Sequence, residues 1–244
     1  MAKEKNLIHI GTSGWHYKHW IGPFYPENTP PKDFLNFYQQ KFHTVELNNS
    51  FYRLPAKETF ENWRDSVGDE FLFSVKASRY ITHLKKLKDC KEPLDNFLRQ
   101  AEGLGEKLGP ILFQTPSNFK KNLERLEEFL SSLPDKFDFT FELRNDSWFD
   151  NKVYKLLNKY KASFCVYELA DLHSPKLVTC DFAYVRLHGP DGRYAGKYTK
   201  KALEKWAAEF NGWTKNKKRV YCYFDNDQNA YAAQNARQLQ EMIG

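Results

Sequence analysis

Residues 183–188 combine apolar and chemically active side chains in strict alternation. Val185 and Leu187 fall on one side of this segment. Arg186 and His188 fall on the other side. Because the side chains of a strand alternate between its two faces, the segment predicts a strand that presents a guanidinium group beside an imidazole. Arginine binds anions through paired N–H bonds, and histidine exchanges protons near neutral pH, so this strand is a candidate for a functional site.

Polar side chains also stand near the carboxyl end of several other apolar segments. They are Ser13, Glu46, Asn48, Lys76, Gln114, Glu142 and Arg144. In a (β/α)8 barrel the carboxyl ends of the parallel strands meet at one rim, and this rim carries the catalytic groups. The pattern therefore predicts that these side chains gather at the upper inner face of such a barrel, together with Arg186 and His188.

The charges of this predicted inner face are unequal. Lys76, Arg144 and Arg186 are fixed cations, whereas the carboxylates are Glu46 and Glu142. The excess of positive charge predicts a ligand that carries a phosphate or carboxylate group. Ion pairing within the site is the alternative, with Glu46 on Lys76 and Glu142 on either arginine. Nearby cations lower the pKa of a carboxyl group, so we expect both glutamates to act as bases or acceptors, and not as the acid of a glycosidase.

Roles follow from these side-chain types. The predicted catalytic residues are Glu46, Lys76, Glu142 and His188. The predicted substrate-binding residues are Ser13, Trp15, Asn48, Tyr52, Gln114, Arg144, Trp148, Arg186, Tyr194, Tyr198 and Asn226. The aromatic members are expected to wall the pocket, and His188 is expected to donate a proton. The end of the last strand leaves one choice open, because both of its faces are apolar or aromatic and either Asp225 or Asn226 points inward.

Metal and nucleotide motifs are missing from the sequence. The seven histidines are scattered, and the close pair His16 and His19 has no acidic neighbour. There is no H-E-x-x-H, Walker loop, dinucleotide glycine pattern or G-x-S-x-G elbow. We therefore predict no bound metal and no cofactor.

Composition is consistent with one barrel domain over residues 1–244, which is close to the size of a single TIM barrel. The net charge of +6 permits an anionic ligand or nucleic acid without requiring either. The four cysteines show no C-x-x-C spacing, which favours reduced thiols. Residues 1–6 contain no signal-peptide core, and no apolar run could span a membrane. We expect a cytoplasmic protein, and the sequence does not specify its oligomeric state.

Strand and helix patterns alternate along the chain. The predicted strands are 7–12, 44–48, 71–76, 111–114, 137–143, 162–167, 183–188 and 219–224. Predicted helices follow Pro30-Pro31, cover about 57–67, 93–107, 120–132, 150–159 and 199–211, and begin again near Asp227. Residues 168–182 are too few for a complete helical crossover, so a reduced helix is expected there. The long connection 77–92 is expected to be a functional loop. This alternation predicts a parallel α/β fold of the (β/α)8 type.

Six motifs are shared with a known family. They are G-T-S-G-W at 11–15, E-L-N-N-S-F-Y at 46–52, F-Q-T-P at 113–116, E-L-R-N-D-S-W at 142–148, Y-V-R-L-H-G at 184–189 and F-D-N-D at 224–227. On these motifs the sequence resembles the DUF72 (YecE-like) family over essentially its whole length. The resemblance implies a TIM-barrel fold and brings no assigned function. Two positions depart from the family pattern: Asp225 stands where asparagine is common, and Tyr167 stands where an acidic residue is expected.

Two functions from different classes are compatible with these observations. The leading prediction is an enzyme, without a metal, that binds a polar and anionic small molecule at the rim. The alternative is a barrel that binds or processes nucleic acid. Basic and aromatic residues interleave in 16–20 and 192–198, as they do where bases stack and phosphates pair. Basic residues also cluster in the 77–92 connection.

Overall fold

The computed structural model describes residues 7–170 and 172–243. The sequence prediction that concerned residues 1–6 lies outside them. Along the described residues the strands are β1 Ile8–Thr12, β2 Thr44–Leu47, β3 Leu72–Lys76, β4 Leu108–Thr115, β5 Phe139–Leu143, β6 Ser163–Leu169, β7 Leu172–His173, β8 Phe182–Leu187 and β9 Arg219–Phe224. The helices are α1 Phe34–Tyr38, α2 Asn49–Tyr52, α3 Lys57–Asp65, α4 Lys91–Ala101, α5 Leu123–Ser131, α6 Asn151–Lys159, α7 Lys200–Lys215 and α8 Tyr231–Ile243.

The strands form one sheet in the order β1-β9-β8-β6-β5-β4-β3-β2, and the short strand β7 pairs antiparallel with β6. The pairs β1–β9, β8–β9, β3–β4, β4–β5 and β5–β6 are parallel. Parallel strands that alternate with helices define a (β/α)8 TIM-type fold, which confirms the fold class predicted from the sequence.

The chain divides into two compact units. Unit 1 consists of Met1–Val45, Val166–Ser174 and Asp181–Gly244. Unit 2 consists of Glu46–Cys165 and Pro175–Cys180. The prediction of a single domain over the whole chain stays a prediction.

In unit 1 the first two strands approach each other closely at a glycine. A Cβ atom at Gly11 would lie 2.1 Å from the carbonyl oxygen of Thr44, so only glycine permits this approach. The Tyr38 hydroxyl joins the same two strands, because it accepts from the backbone amide of Thr12 (3.0 Å) and donates to the Thr44 carbonyl (3.1 Å). The aromatic side chain of α1 thus connects β1 with β2.

The helices of unit 2 are held by capping side chains and an apolar stripe. Asn122 accepts from the backbone amide of Arg125 at the start of α5, as polar N-cap residues do. Leu126, Phe129 and Leu130 recur at helical spacing and are buried. They form the core on this side of the sheet.

Several predicted boundaries shift in the structure. The helix predicted over 93–107 begins at Lys91 and changes to a 3-10 helix at Glu102. The strand predicted at 111–114 already begins at Leu108. The connection 77–92 was expected to be a loop, but it contains a π-helix over Tyr80–Leu84.

The predicted reduction of the crossover after β6 is confirmed for the part that the structure describes. Residues 168–170 and 172–182 contain no helix, and β7 folds back onto the end of β6 instead. The four cysteines are buried, and none of them forms a disulfide bond. No helix among the described residues is both long and apolar enough to cross a membrane.

Candidate functional site

The first group of predicted site residues lies at the end of β8 in unit 1. Arg186 and His188 are fully buried there. The backbone amide of Asp225 donates to the Leu187 carbonyl (2.8 Å), which brings the end of β9 beside them. One carboxylate oxygen of Asp225, Oδ2, accepts a hydrogen bond from Arg186 Nη2 (2.9 Å) and lies 3.0 Å from His188 Nδ1. We call Ser13, Arg186, His188 and Asp225 the β8–β9 cluster.

The contacts of His188 indicate the roles of its two ring nitrogens. Nε2 lies 3.4 Å from Arg186 Nη1, and a guanidinium group can only donate. Nε2 must therefore accept, and Nδ1 must carry the proton that it donates to Asp225. The carboxylate thus orients an imidazole whose tautomer is fixed, which is an arrangement that enzymes use for proton transfer.

Ser13 joins this cluster through Arg186, and Tyr194 contacts it through His188. The Ser13 hydroxyl accepts from Arg186 Nη2 at 3.4 Å, and the backbone amide of Ser13 donates to the Phe224 carbonyl (2.8 Å). The ring of Tyr194 meets the His188 ring edge to face with centroids 5.5 Å apart. Tyr194 is also 39% exposed, so it lies between the buried imidazole and solvent.

The structure settles the choice at the end of the last strand in favour of Asp225. The Asn226 amide instead donates to the Gly196 carbonyl (2.8 Å) and to Asn235 Oδ1 (3.1 Å). The Tyr198 hydroxyl accepts from the Gly189 amide (3.1 Å) and is buried. The side chains of Asn226 and Tyr198 thus hold the loop that follows β8, and their predicted ligand-binding roles stay predictions.

Two tryptophans predicted to wall the pocket are also buried. Trp15 in unit 1 is 8% exposed, and Trp148 in unit 2 is fully buried. The Trp148 indole donates to the Phe119 carbonyl (2.6 Å), and its ring packs edge to face on the Phe119 ring. Trp148 is a core residue, and its predicted role in a pocket wall stays a prediction.

The second group of predicted residues lies at the carboxyl ends of β3, β4 and β5 in unit 2. Lys76 ends β3, and Gln114 lies beside Glu142 in the register of β4 with β5. Glu142 is fully buried, and its Oε1 lies 2.5 Å from the Nε of Arg144. This contact confirms the alternative that Glu142 forms an ion pair with Arg144.

A residue that was not predicted for the site, His83, completes this group. Its Nδ1 lies 2.9 Å from Thr82 Oγ1, and its Nε2 lies 3.4 Å from the amide nitrogen of Gln114. The Phe51 ring contacts the imidazole edge to face at 4.9 Å, and Lys76 Nζ stands 4.3 Å from the same ring. We call Lys76, His83, Gln114, Glu142 and Arg144 the β3–β5 cluster.

The pKa of His83 is lowered to about 4, mainly by burial and then by the cations Lys76, Arg144 and Arg79, while Glu142 acts in the opposite sense. The hydrogen bonds agree with a neutral ring. The Gln114 amide donates to Nε2, so a proton at Nε2 would face another donor. His83 is therefore neutral over the physiological pH range.

The remaining predicted residues of unit 2 occupy different environments. Glu46 is fully buried in β2. The Oδ1 of Asn48 is buried and makes no hydrogen bond within residues 7–170 and 172–243. Tyr52 is 75% exposed and rests edge-on against Phe51.

Ion pairs offset part of the predicted excess of fixed positive charge. In unit 2, Glu142 pairs with Arg144. In unit 1, Asp225 pairs with Arg186. The sequence leaves the direction of Asp225 open, so this third carboxylate could not be counted from it. A positive local field nevertheless remains at His83, because Arg79 adds to Lys76 and Arg144.

Metal ligands do not converge in the part of the chain that the structure describes. It contains no group of three or more histidine, cysteine, aspartate or glutamate side chains that could hold a metal ion. The two clusters are built instead from charged, amide and imidazole groups.

Together, the sheet order and the polar strand ends define a (β/α)8-barrel protein with charged side chains at the carboxyl ends of its strands. The family model described as "Protein of unknown function DUF72" matches residues 9–244. The chain belongs to the DUF72 family, as its motifs predicted.

Known relatives agree with this assignment. A crystal structure of a DUF72 family protein from Thermotoga maritima is similar over 98% of this chain and 99% of that one, with 32% identity and a TM-score of 0.89. UPF0759 protein YunF of Bacillus subtilis is 28% identical over 97% of the chain and 95% of its own length. UPF0759 protein YecE of Escherichia coli is 30% identical over 59% of the chain, and the chain spans half the length of that relative.

Proposed function

We propose that the protein is an enzyme that binds a small anionic molecule, with a phosphate or carboxylate group, at the β3–β5 cluster. One observation carries this proposal: three cations, Lys76, Arg144 and Arg79, act on His83 and add to the effect of burial in lowering its pKa, while Glu142 opposes them. A bound anion would offset this field. The carboxyl ends of barrel strands are also where enzymes of this fold bind their substrates.

Arg144 is the best placed residue to hold the anion. Its Nε contact with Glu142 fixes the plane of the guanidinium group, and only 13% of the Arg144 side chain is exposed. A fixed guanidinium group binds a carboxylate or phosphate through parallel N–H bonds, with little further loss of side-chain entropy. Lys76 adds a second positive charge from the end of β3, which pairs with β4 on the side opposite to β5.

Acid–base groups favour an enzyme over a simple binding protein. The β3–β5 cluster contains a carboxylate, an amine and a neutral imidazole. Unit 1 contains a second imidazole, that of His188, which Asp225 orients. Groups of this kind transfer protons when they are held in place and have a defined protonation state.

Anion binding should raise the pKa of His83. We expect orthophosphate to raise it from about 4 by about one unit, because a nearby negative charge favours the imidazolium form. By linkage, phosphate should bind more tightly as the pH falls towards this value. The measurement is an NMR titration of the histidine side chains in phosphate and in chloride at equal ionic strength.

The matched control for this titration is the substitution Arg144→Gln, which should abolish the difference between phosphate and chloride. The signal of His173, whose side chain is 63% exposed, serves as the reference within the same spectrum. Identical His83 titrations in phosphate and chloride would contradict the proposed anion site.

The nucleic-acid alternative retains one specific observation in its favour. Tyr52 and Tyr80 of unit 2 are 75% and 47% exposed, and Arg53 and Arg79 are their immediate neighbours in the sequence. Exposed aromatic rings beside cations suit single-stranded nucleic acid. We expect weak or no binding of a single-stranded oligonucleotide at low salt. Tight binding that falls steeply as salt is added would favour the alternative.

A further inference from the structure

We infer that Lys76 is a nucleophile that forms an imine with the carbonyl group of an anionic substrate. The substrate class is then a short oxo acid or a phosphorylated aldehyde or ketone. This inference rests on the proposed function, because the anion site is what brings the carbonyl carbon to the amine.

The backbone at Lys76 is firmly held. Lys76 is the last residue of β3, and its carbonyl oxygen accepts from the Ser50 hydroxyl at 2.7 Å. The next amide, that of Ala77, donates to the Leu112 carbonyl in β4 (2.8 Å). A side chain that leaves a rigid strand end delivers its reactive atom to a defined place, which catalysis requires.

The Lys76 side chain is unusually buried for lysine. Lysine almost always keeps its charged end in water, yet only 8% of Lys76 is exposed. The contact of Nζ with the Phe51 ring at 4.3 Å holds the amine beside an apolar surface. Burial of this kind does not serve solubility, and buried lysines are typical of amine catalysis.

Lys76 shares its region with two guanidinium groups. Lys76, Arg144 and Arg79 all lie close enough to His83 to act on its charge. Arginine does not lose its proton in proteins, so of these three side chains only the lysine amine can serve as a nucleophile.

The proposed step balances without any further reactant. The amine nitrogen bonds to the carbonyl carbon, and the C=O electron pair moves to oxygen. Of the three protons of the starting ammonium group, two leave with the carbonyl oxygen as water and one stays on the nitrogen. The ammonium group and the carbonyl compound thus become a protonated imine and one water molecule, and the charge is unchanged.

The distance between the two anchors limits the size of the substrate. Lys76 ends β3 and Arg144 follows β5, with β4 between them. Neighbouring strands lie roughly 5 Å apart, so the two backbones are about 10 Å apart. A lysine and an arginine side chain that bind one molecule across this span would leave room for only a few carbon atoms between the anionic group and the carbonyl carbon.

Reductive trapping tests the inference with two aldehydes of equal length. The protein is incubated with glyoxylate, which carries a carboxylate, or with neutral glycolaldehyde, and cyanoborohydride reduces any imine to a stable secondary amine. Mass spectrometry of peptides then quantifies modification at Lys76 and at Lys200, whose side chain is 74% exposed. We expect glyoxylate to modify Lys76 about tenfold faster than glycolaldehyde does, as a charged hydrogen bond to Arg144 predicts.

Two variants separate this inference from the proposed anion site. Lys76→Arg keeps the charge and removes the nucleophile, so it should lose the adduct while phosphate still shifts the His83 titration. Arg144→Gln should remove the preference for glyoxylate. If glyoxylate modifies Lys76 no faster than Lys200 while phosphate still shifts His83, the imine is overturned and the anion site stands. If both aldehydes modify Lys76 preferentially and Arg144→Gln changes nothing, the nucleophile stands and the anion site falls.

Discussion

Replacing Asp225 with alanine should lower the free energy of unfolding by about 3–5 kcal/mol, because it removes one partner of a buried ion pair. The carboxylate lies 2.9 Å from the Arg186 guanidinium and 3.0 Å from the His188 ring. Both partners are fully buried, so water cannot replace the lost hydrogen bonds without rearrangement. Urea unfolding monitored by tryptophan fluorescence measures the loss.

An exposed aspartate in the same unit provides the matched control. The Asp181 side chain is 93% exposed and lies 3.6 Å from Lys218. Exposed pairs of this kind contribute about 0–1 kcal/mol, so Asp181→Ala should leave the unfolding midpoint almost unchanged. Equal effects of the two substitutions would mean that the Asp225 contacts do not stabilise the fold.

The alternation of side chains was enough to predict the strands and their polar ends. Arg186 and Glu142 fall on polar faces of apolar strands, and both are buried at strand ends in the structure. Burial of a charge is costly unless it is paired, so such residues stand out in a sequence. The same reasoning failed at the last strand, where Tyr223 and Phe224 make both faces apolar.

The direction of Asp225 could not be predicted without the pairing register of β8 with β9. Arg186 lies opposite Tyr223 and Leu187 lies opposite Phe224 in the pairing of β8 with β9. Continuing this register by one step places His188 opposite Asp225. A single sequence gives the polarity of each face but not the pairing of neighbouring strands, so the third carboxylate and the charge balance could not be predicted.

The omission of His83 has a different physical cause. Its position depends on a π-helix in a connection that carries no periodic pattern. The histidine joins the cluster through the Gln114 amide and the Phe51 ring, which are distant in sequence. The length of the connection and its basic residues were the only signals, and they pointed to a functional loop without selecting a residue.

The protein should lose stability as the pH falls from about 6.5 to about 4, and His9 should account for up to about 3 kcal/mol of the loss. The pKa of His9 is lowered from 6.5 to about 4, mainly by burial and then by Arg219 and His43. In the unfolded chain this histidine takes up a proton near pH 6.5, whereas in the folded protein it stays neutral. The unfolded state therefore binds more protons in this range, and acid favours unfolding.

The substitution His9→Phe isolates this contribution. The His9 ring stacks on Tyr221 with centroids 4.9 Å apart, and phenylalanine can keep the stacking without a titrating group. The lowered pKa of His83 also makes the folded protein less stable in acid. Asp227 has the opposite effect on the pH dependence of stability, because burial raises the pKa of its carboxyl group. Both groups remain in the variant, so their contributions cancel in the difference between the variant and the wild type.

Urea unfolding at several pH values between 7 and 4.5 should show a flatter profile for His9→Phe than for the wild type. His173→Phe, at a mostly exposed position, is the control. Parallel profiles for His9→Phe and the wild type would show that His9 titrates alike in the folded and unfolded chains.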